Sequence, residues 1–93
     1  MFKRILMRMR EKVRRREYVM TYHARKEMND EDLIVYDVER CILTGEIMER
    51  QKDRVTAEWK YRLRGETVVG GKVEVVAKLS QTGKLVIITV YIP

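Results

Sequence analysis

The only histidine of the chain, His23, lies in the segment TYHARKEM, residues 21–28. Imidazole is the side chain whose ordinary pKa lies closest to neutrality, so His23 is the first candidate for a general acid or base. Arg25 and Lys26 lie in the same segment and add positive charge suited to holding a phosphate. A mechanism that uses two histidines is excluded, because the chain has one.

A second set of chemically able side chains lies on the predicted strand EWKYRLR, residues 58–64. Aromatic and apolar residues alternate there with Lys60, Arg62 and Arg64, so a strand places these three cations on one face. The planar guanidinium of Arg62 makes it the predicted phosphate clamp. The alternative interpretation is a solvated strand face whose charges do no chemistry.

The predicted catalytic set consists of His23, Arg62 and Tyr91, with Lys78 as a supporting cation. His23 lies in the first turn of a predicted helix, where the helix dipole opposes a positive charge and favours the neutral imidazole. Each residue also has an ordinary structural interpretation. The His23 ring then pairs with backbone or with Glu27 one turn on, and Tyr91 only packs. The sequence leaves both interpretations open.

A metal-dependent alternative rests on the triplet Glu58-Trp59-Lys60 with Asp53 upstream, an arrangement found in restriction-type nucleases that bind Mg²⁺. A chain with 14 acids among 93 residues contains such a triplet readily by chance. No zinc-ligand spacing is present, and Cys41 is the single cysteine. We therefore expect neither a metal nor a cofactor, and the lone thiol is typical of the reducing cytoplasm.

Positive charge is concentrated at the N-terminus. Residues 1–16 contain eight Lys or Arg and one acid, Glu11, whereas the whole chain carries a formal charge of +6. The apolar residues of this segment recur at helical spacing and form one stripe: Phe2, Ile5, Leu6, Met9 and Val13. The sequence thus predicts a basic amphipathic helix over residues 1–16, followed by a single α+β domain over residues 17–93.

Three interpretations of this basic helix stay open. It binds a partner protein or a second copy of the chain through its apolar stripe. It binds nucleic-acid phosphates through cations that include Arg8, Lys12 and Arg15. It lies on an acidic membrane surface. No apolar run is long enough to span a bilayer.

The remaining elements follow from periodicity and from helix-breaking residues. We predict a short strand at residues 18–20, a helix at residues 22–28 capped by Thr21, and a helix at residues 31–44 ended by Gly45. The pattern then changes to a period of two, which predicts an antiparallel meander. The predicted fold is α+β, with N-terminal helices packed on one face of a three- to four-stranded antiparallel sheet.

The last two predicted strands suggest a register in which Leu79 lies opposite Lys84. That register leaves Val76, Leu85 and Ile87 as an apolar strip on the face away from the helices. Such a strip needs cover. Either the basic helix folds across it, or a second subunit covers it in a homodimer.

Several short motifs follow one another in a fixed order: His23-Ala24, Met28, Asp37-Val38, Leu43, Gly45, Ile47 and the closing segment VIITVYIP, residues 86–93. This order resembles domain-of-unknown-function family 4258 of bacteria and archaea over about residues 18–93. The chain departs from the family pattern at Glu27, where the family has Arg, and at Glu31-Asp32, where the family has Arg-Gly.

That family resembles the RelE and BrnT toxins in architecture. The resemblance implies a metal-independent endoribonuclease of toxin type that cuts messenger RNA, with an antitoxin-like small protein as partner. His23 is then the acid–base group, Arg62 the phosphate clamp, and Tyr91 a supporting group. The RNA is contacted by a wider set of cations: Arg8, Lys12, Arg15, Arg25, Lys26, Lys60, Arg64 and Lys78. The competing interpretation is a non-catalytic module that binds nucleic acid or protein through the basic helix.

Overall fold

The structure of the chain, a computed structural model that describes residues 1–93, contains three helices and five strands. Along the chain these are α1 (Lys3–Arg14), β1 (Tyr18–Met20), α2 (Tyr22–Asp30), α3 (Val35–Thr44), β2 (Glu46–Lys52), β3 (Trp59–Glu66), β4 (Lys72–Leu79) and β5 (Leu85–Tyr91). The helices precede the long strands and pack against them as a separate layer, which is the predicted α+β organisation.

The strands form one sheet in the order β1-β5-β4-β3-β2. Strands β2 to β5 pair antiparallel with their neighbours in sequence, whereas β1 runs parallel to β5, with Tyr18 opposite Leu85 and Met20 opposite Ile87. The predicted three- to four-stranded antiparallel sheet is therefore wrong in strand number and in the direction of β1. Turn residues indicate pairing between consecutive strands only, so no local signal places β1 beside the last strand.

One hydrophobic core lies between the helices and the sheet. The helices contribute Met9, Val13, Ala24, Met28, Val38, Cys41 and Ile42. The sheet contributes Tyr61, Leu63, Val73, Val75, Ala77, Leu85, Ile87 and Val90. In β3 the core residues alternate with arginines, and in β4 they alternate with Glu74, Val76 and Lys78, so the predicted period of two is confirmed for both strands. We call the face of the sheet that does not carry the core the open face.

Helix α1 is anchored to this core rather than lying free. Met9 is fully buried and Val13 is 3% exposed, and the ring of Phe2 meets that of Tyr61 edge-on at 5.9 Å. None of the helices in the structure has the length and apolar character that crossing a membrane requires.

A side chain of α1 also satisfies the end of α3. Arg10 donates from Nε to the carbonyl of Ile42 at 3.0 Å and from Nη2 to the carbonyl of Gly45 at 2.9 Å. Carbonyls at a helix C-terminus lack partners within the helix and carry partial negative charge, so a guanidinium is well matched to them. Arg10 thereby fixes α1 against α3.

The pairing of β4 with β5 corrects the predicted register. Leu79 lies opposite Leu85 rather than Lys84, and a bulge then shifts the pairing, so that Ala77 faces Ile87 while Val76 faces Thr89. The turn holds one residue more than predicted, which puts Leu85 and Ile87 on the core face, and the bulge then returns Val90 to the core face that the alternation predicted. Leu85 and Ile87 are fully buried in the core. The predicted apolar strip of Val76, Leu85 and Ile87 is therefore absent from the open face.

Helix α3 begins later than predicted, at Val35 rather than at residue 31. Asp32 adopts a left-handed conformation with φ of 55°, so it ends the preceding turn instead of starting the helix. The side chain of Asp37 accepts hydrogen bonds from the backbone N–H groups of Ile34 at 2.9 Å and Val68 at 2.8 Å. The predicted cap of α2 is confirmed, since the Thr21 hydroxyl accepts a hydrogen bond from the Ala24 N–H at 3.1 Å.

Two glycines allow α3 to approach β3 closely. A Cβ at Gly45 would overlap the carbonyl oxygens of Arg64 and Cys41, and a Cβ at Gly65 would lie 2.8 Å from the Cα of Cys41. Real Cβ atoms essentially never come that near to backbone atoms. Both positions thus require glycine for packing, and neither has a positive φ.

Candidate functional site

A buried carboxylate, Glu74 of β4, forms the centre of a polar cluster on the open face. The Tyr91 hydroxyl donates to its Oε1 at 2.5 Å, and Nη1 of Arg62 donates to the same oxygen at 3.1 Å. Its Oε2 accepts from Nε of Arg64 at 2.7 Å, with Nη2 at 2.6 Å. We call these four residues the Glu74 cluster. The side chain of Glu74 is 3% exposed, so its negative charge is stabilised by these partners rather than by water.

The strand register explains why these residues meet. Arg64 lies directly opposite Glu74 on β3, and Tyr91 lies directly opposite Glu74 on β5. Arg62 lies opposite Val76, two residues along on the same face, and therefore reaches Glu74 diagonally. The bulge in β5 is what brings Tyr91 opposite Glu74.

The ionisation of the cluster follows from its hydrogen bonds. Burial pushes the pKa of Glu74 upwards, but the hydrogen bonds from Tyr91, Arg64 and Arg62 outweigh it and hold the pKa of Glu74 below its ordinary value. The hydrogen bond to Glu74 raises the pKa of the Tyr91 phenol, and burial adds to that shift. Glu74 is thus a stable anion and a weak base, while Tyr91 keeps its proton.

Arg62, the predicted phosphate clamp, already has two carboxylate partners. Its Nε donates to Oε1 of Glu49 at 3.0 Å in addition to the contact with Glu74, and its side chain is 24% exposed. The hydrogen bond from Arg62 lowers the pKa of Glu49. A phosphate would have to displace Glu49 to reach Arg62, whereas Arg64 is 47% exposed and is the more accessible guanidinium.

His23 lies apart from Arg62 and Tyr91. It is in the first turn of α2, as predicted, and its Nε2 lies 3.3 Å from Oε1 of Glu27 one turn on. The same Glu27 oxygen accepts a hydrogen bond from the Val90 backbone at 3.1 Å. The ring itself is 68% exposed and has no hydrogen bond to the Glu74 cluster. The structure thus brings Arg62 and Tyr91 together and places His23 on the helical side.

Lys78 and two acids of the metal-dependent alternative, Glu58 and Asp53, all have structural partners. Lys78 donates to Oε1 of Glu58 at 2.9 Å, and that hydrogen bond lowers the pKa of Glu58. Oδ1 of Asp53 accepts from the backbone N–H groups of Val55 and Thr56 and so closes the loop before β3. No group of three or more His, Cys, Asp or Glu side chains is arranged as ligands for a metal ion.

The predicted RNA-contacting cations divide between two surfaces. Lys60, Arg64 and Lys78 project from strands on the open face. The others lie on helices: Arg8, Lys12 and Arg15 on α1, and Arg25 and Lys26 on α2. Lys26 is paired with Asp30 at 3.1 Å. These cations therefore come from both layers of the domain, the sheet and the helices.

The outward side of α1 carries a group of cations without acidic partners. The single acid of the helix, Glu11, lies 2.8 Å from Arg15 and 4.0 Å from Arg14. Lys3, Arg4 and Arg8 are exposed and form no ion pair. We call the exposed residues Lys3, Arg4, Met7, Arg8, Glu11, Arg14 and Arg15 the α1 outer face.

Glu74 and Glu49 are the members of the site that sequence reasoning missed. The alternation of β4 correctly assigned Glu74 to the face opposite the core, but the predicted register placed Thr89 beside it instead of Tyr91. One signal was available: an acid between valines on a strand that adjoins a strand with two arginines on the same face. An unpaired carboxylate in such surroundings is costly, so a cationic partner could have been expected.

Comparison with known proteins identifies the class of the chain. The family profile described as Domain of unknown function (DUF4258) matches residues 20–92. The chain belongs to this family, and the match covers α2, α3 and the four long strands while leaving α1 outside. No curated protein and no solved structure matches the chain.

Proposed function

We propose that the chain is a small RNA-binding domain that holds the phosphate backbone on the α1 outer face. Three interpretations of α1 were open, and the packing of its apolar stripe supports one of them. Met9 and Val13 are buried within the chain's own core, and Phe2, Ile5 and Leu6 pack against it. The stripe is therefore occupied, and what α1 offers to a ligand is its cationic side.

The observation that carries this proposal is the group of exposed, unpaired cations Lys3, Arg4 and Arg8 on an anchored helix. Cations that have no acidic neighbour gain more from a phosphate than cations already paired, and displaced counterions add a favourable entropy. Arg4 and Arg8 are one turn apart, about 6 Å along the axis. The contacts of Arg10 with α3 fix the helix, so its cations are held in place before RNA binds.

Fluorescence anisotropy with a labelled RNA at several salt concentrations tests the proposal. The variant Arg4→Glu/Arg8→Glu should lose affinity and lower the slope of log K against log salt by about 1.4, since each phosphate contact on a single strand contributes about 0.7. The matched control Arg40→Glu/Lys72→Glu makes the same change in net charge at exposed positions outside α1. Equal losses in both variants would show a general charge effect and contradict the proposal.

A second candidate function is a metal-independent endoribonuclease with RelE-like architecture. The convergence of Arg62, Arg64 and Tyr91 on the open face supports it, because a cationic clamp beside a proton donor suits phosphodiester cleavage. In this proposal Arg64 and Arg62 hold the phosphate and Tyr91 protonates the leaving oxygen, and an antitoxin-like partner covers the face. His23 is exposed on α2 and is not part of this cluster, so the proton of the attacking 2′-hydroxyl passes to water rather than to the imidazole.

Labelled RNA incubated with the protein and a chelator separates the two candidates. An endoribonuclease produces fragments under these conditions. Arg64→Ala and Tyr91→Phe should each reduce the rate, measured at a temperature at which circular dichroism shows both variants folded, because both residues also hold Glu74. His23→Ala should leave the rate unchanged if the Glu74 cluster is the site of cleavage. If the chain is such a nuclease, expressing it in bacterial cells without the antitoxin-like partner should also arrest their growth. Intact RNA that is nevertheless bound supports the binding domain and counts against the nuclease.

A further inference from the structure

Trp59, at the start of β3, is a large aromatic side chain that the core does not use. Its side chain points to the helical face, as do those of Tyr61 and Leu63, but the residue is 40% exposed while Tyr61 is 6% exposed. The difference arises because Phe2 of α1 covers Tyr61, and the indole lies beyond that contact. At 40% exposure the indole keeps aromatic surface that a ligand can contact.

The surroundings of Trp59 connect it with α1. A cleft of about 320 Å³ is lined by Trp59, Tyr61 and Leu79 from the sheet and by Ile5 and Arg8 from α1. Arg8 also belongs to the α1 outer face, so the cleft opens at the edge of the proposed phosphate-binding surface.

Cations surround the indole. The guanidinium of Arg50 lies over the ring at 4.2 Å from its centroid, and the ammonium of Lys52 lies at 5.5 Å. Neither cation forms an ion pair, and neither does Arg8. The acid of the cleft, Glu58, is already paired with Lys78. The cleft itself has one unneutralised cation, Arg8, and two more, Arg50 and Lys52, lie against its indole. A π surface with cations beside it is the combination by which proteins hold single-stranded nucleic acid.

We propose that Trp59 is a stacking platform for an unpaired base, which makes the ligand of this domain single-stranded RNA. The inference rests on the proposed function and deepens it, since the α1 outer face alone would hold single and double strands alike. In a duplex the base faces are covered by their neighbours, so only a single strand can place a base on the indole. The adjoining phosphates then lie on Arg8, Arg50 and Lys52.

Trp59 is the only tryptophan of the chain, so its intrinsic fluorescence reports directly on this site. A single-stranded RNA of about 12 nucleotides should quench the fluorescence as it binds. Two matched probes serve as controls: an abasic ribose-phosphate strand of the same length and a duplex of the same sequence. Both should bind in the anisotropy assay at low salt and leave the tryptophan emission unchanged.

Variants at Trp59 give a second readout. Trp59→Leu should weaken binding of the single strand about tenfold, because the base loses its stacking contact, and should leave binding of the abasic strand unaltered. Trp59→Tyr, which keeps a ring, should restore most of the affinity. The wild-type quenching experiment decides the question by itself if Trp59→Leu fails to fold.

The outcomes separate the two proposals. Binding of the single strand without quenching, or with equal affinity for the abasic strand, overturns the stacking role of Trp59 while leaving the α1 surface intact. No binding of any strand overturns the stacking role and the RNA-binding function together. Quenching by the single strand alone, lost in Trp59→Leu, is the expected result.

Discussion

Tyr91 of β5 and Glu74 of β4 lie opposite each other, and the phenol donates to the carboxylate at 2.5 Å. The carboxylate is nearly inaccessible to water, and the guanidinium groups of Arg62 and Arg64 complete its hydrogen bonding. The open face is therefore organised around an anion, which joins β3, β4 and β5 through their side chains.

Replacing Glu74 with Ala should lower the free energy of unfolding by about 2 kcal/mol. Removing one partner of a buried pair typically costs about 3–5 kcal/mol, and the lower value reflects the half-exposed Arg64. Urea denaturation followed by circular dichroism measures the change. Glu46→Ala, at an exposed acid outside the cluster, should alter stability much less. Equal effects of the two substitutions would show that the cluster is not stabilising.

Stability should fall in acid through the carboxylates whose pKa is lowered. Hydrogen bonds hold the pKa of Glu74, Glu49 and Glu58 below the ordinary value. Such groups stabilise the fold above the unfolded-state pKa of about 4.3, and this contribution is lost as the pH falls through the lower folded-state pKa. Urea midpoints measured from pH 7 down to pH 2 should show the decline. A Glu74→Gln variant should have a shallower decline, and an unchanged slope would refute the assignment.

Cys41 should be inert to thiol reagents in the folded protein. Its sulfur is fully buried, and burial raises the pKa of the thiol to about 12, so almost no thiolate exists at pH 8. Labelling with a chromogenic disulfide should therefore proceed only through unfolding and accelerate in denaturant. The double variant Cys41→Ala/Val55→Cys, which moves the thiol to a 94% exposed position, should react at once. Rapid labelling of the unaltered protein would contradict the burial of Cys41.

Gly65→Ala should destabilise the protein by about 3 kcal/mol. The added Cβ would lie 2.8 Å from the backbone of Cys41, and the overlap can be relieved only by moving α3 away from β3. Gly71→Ala is the matched control, because its Cβ would meet only the Thr67 hydroxyl at 3.5 Å, an ordinary contact. Thermal unfolding of the two variants compares them. A Gly65→Ala variant as stable as Gly71→Ala would contradict the close approach.

Arg10→Met should lower stability by about 2 kcal/mol, because the carbonyls of Ile42 and Gly45 lose charge-assisted hydrogen bonds. Arg8→Met, two residues earlier on the exposed side, should leave the urea midpoint unchanged and weaken RNA binding instead. The two variants remove the same charge from the same helix. An equal loss of stability in both would mean that Arg10 does not fix α1.

Sequence periodicity predicted those parts of the fold in which neighbouring residues alone determine which side of an element is buried. The alternation in β3 placed Tyr61 and Leu63 in the core and Arg62 outside it, and Thr21 was recognised as the cap of α2. The register of β5 was mispredicted because the turn before it holds one residue more than expected, which puts Leu85 and Ile87 in the core in place of Val86 and Ile88, and a bulge then shifts the later pairing again. The parallel pairing of β1 depends on contacts across the whole chain, which no local pattern contains.

The site was predicted less completely than the fold. Arg62 and Tyr91 were chosen for their side-chain chemistry and do meet, but through Glu74, whose part in the site depends on the strand register. His23 was chosen because it is the only histidine, and the fold places it beside Glu27 on a helix. Residue type indicates which side chains are able to do chemistry, whereas the pairing of strands decides which of them act together.

The family match begins at residue 20, yet Met9 and Val13 of α1 are part of the core on which the matched region folds. The region matched by the family therefore begins later in the chain than the region that forms the core. The apolar anchor and the cationic surface of α1 are carried by the same 12 residues. Loss of that one helix would therefore uncover the apolar residues beneath it and remove its positive charge in a single step.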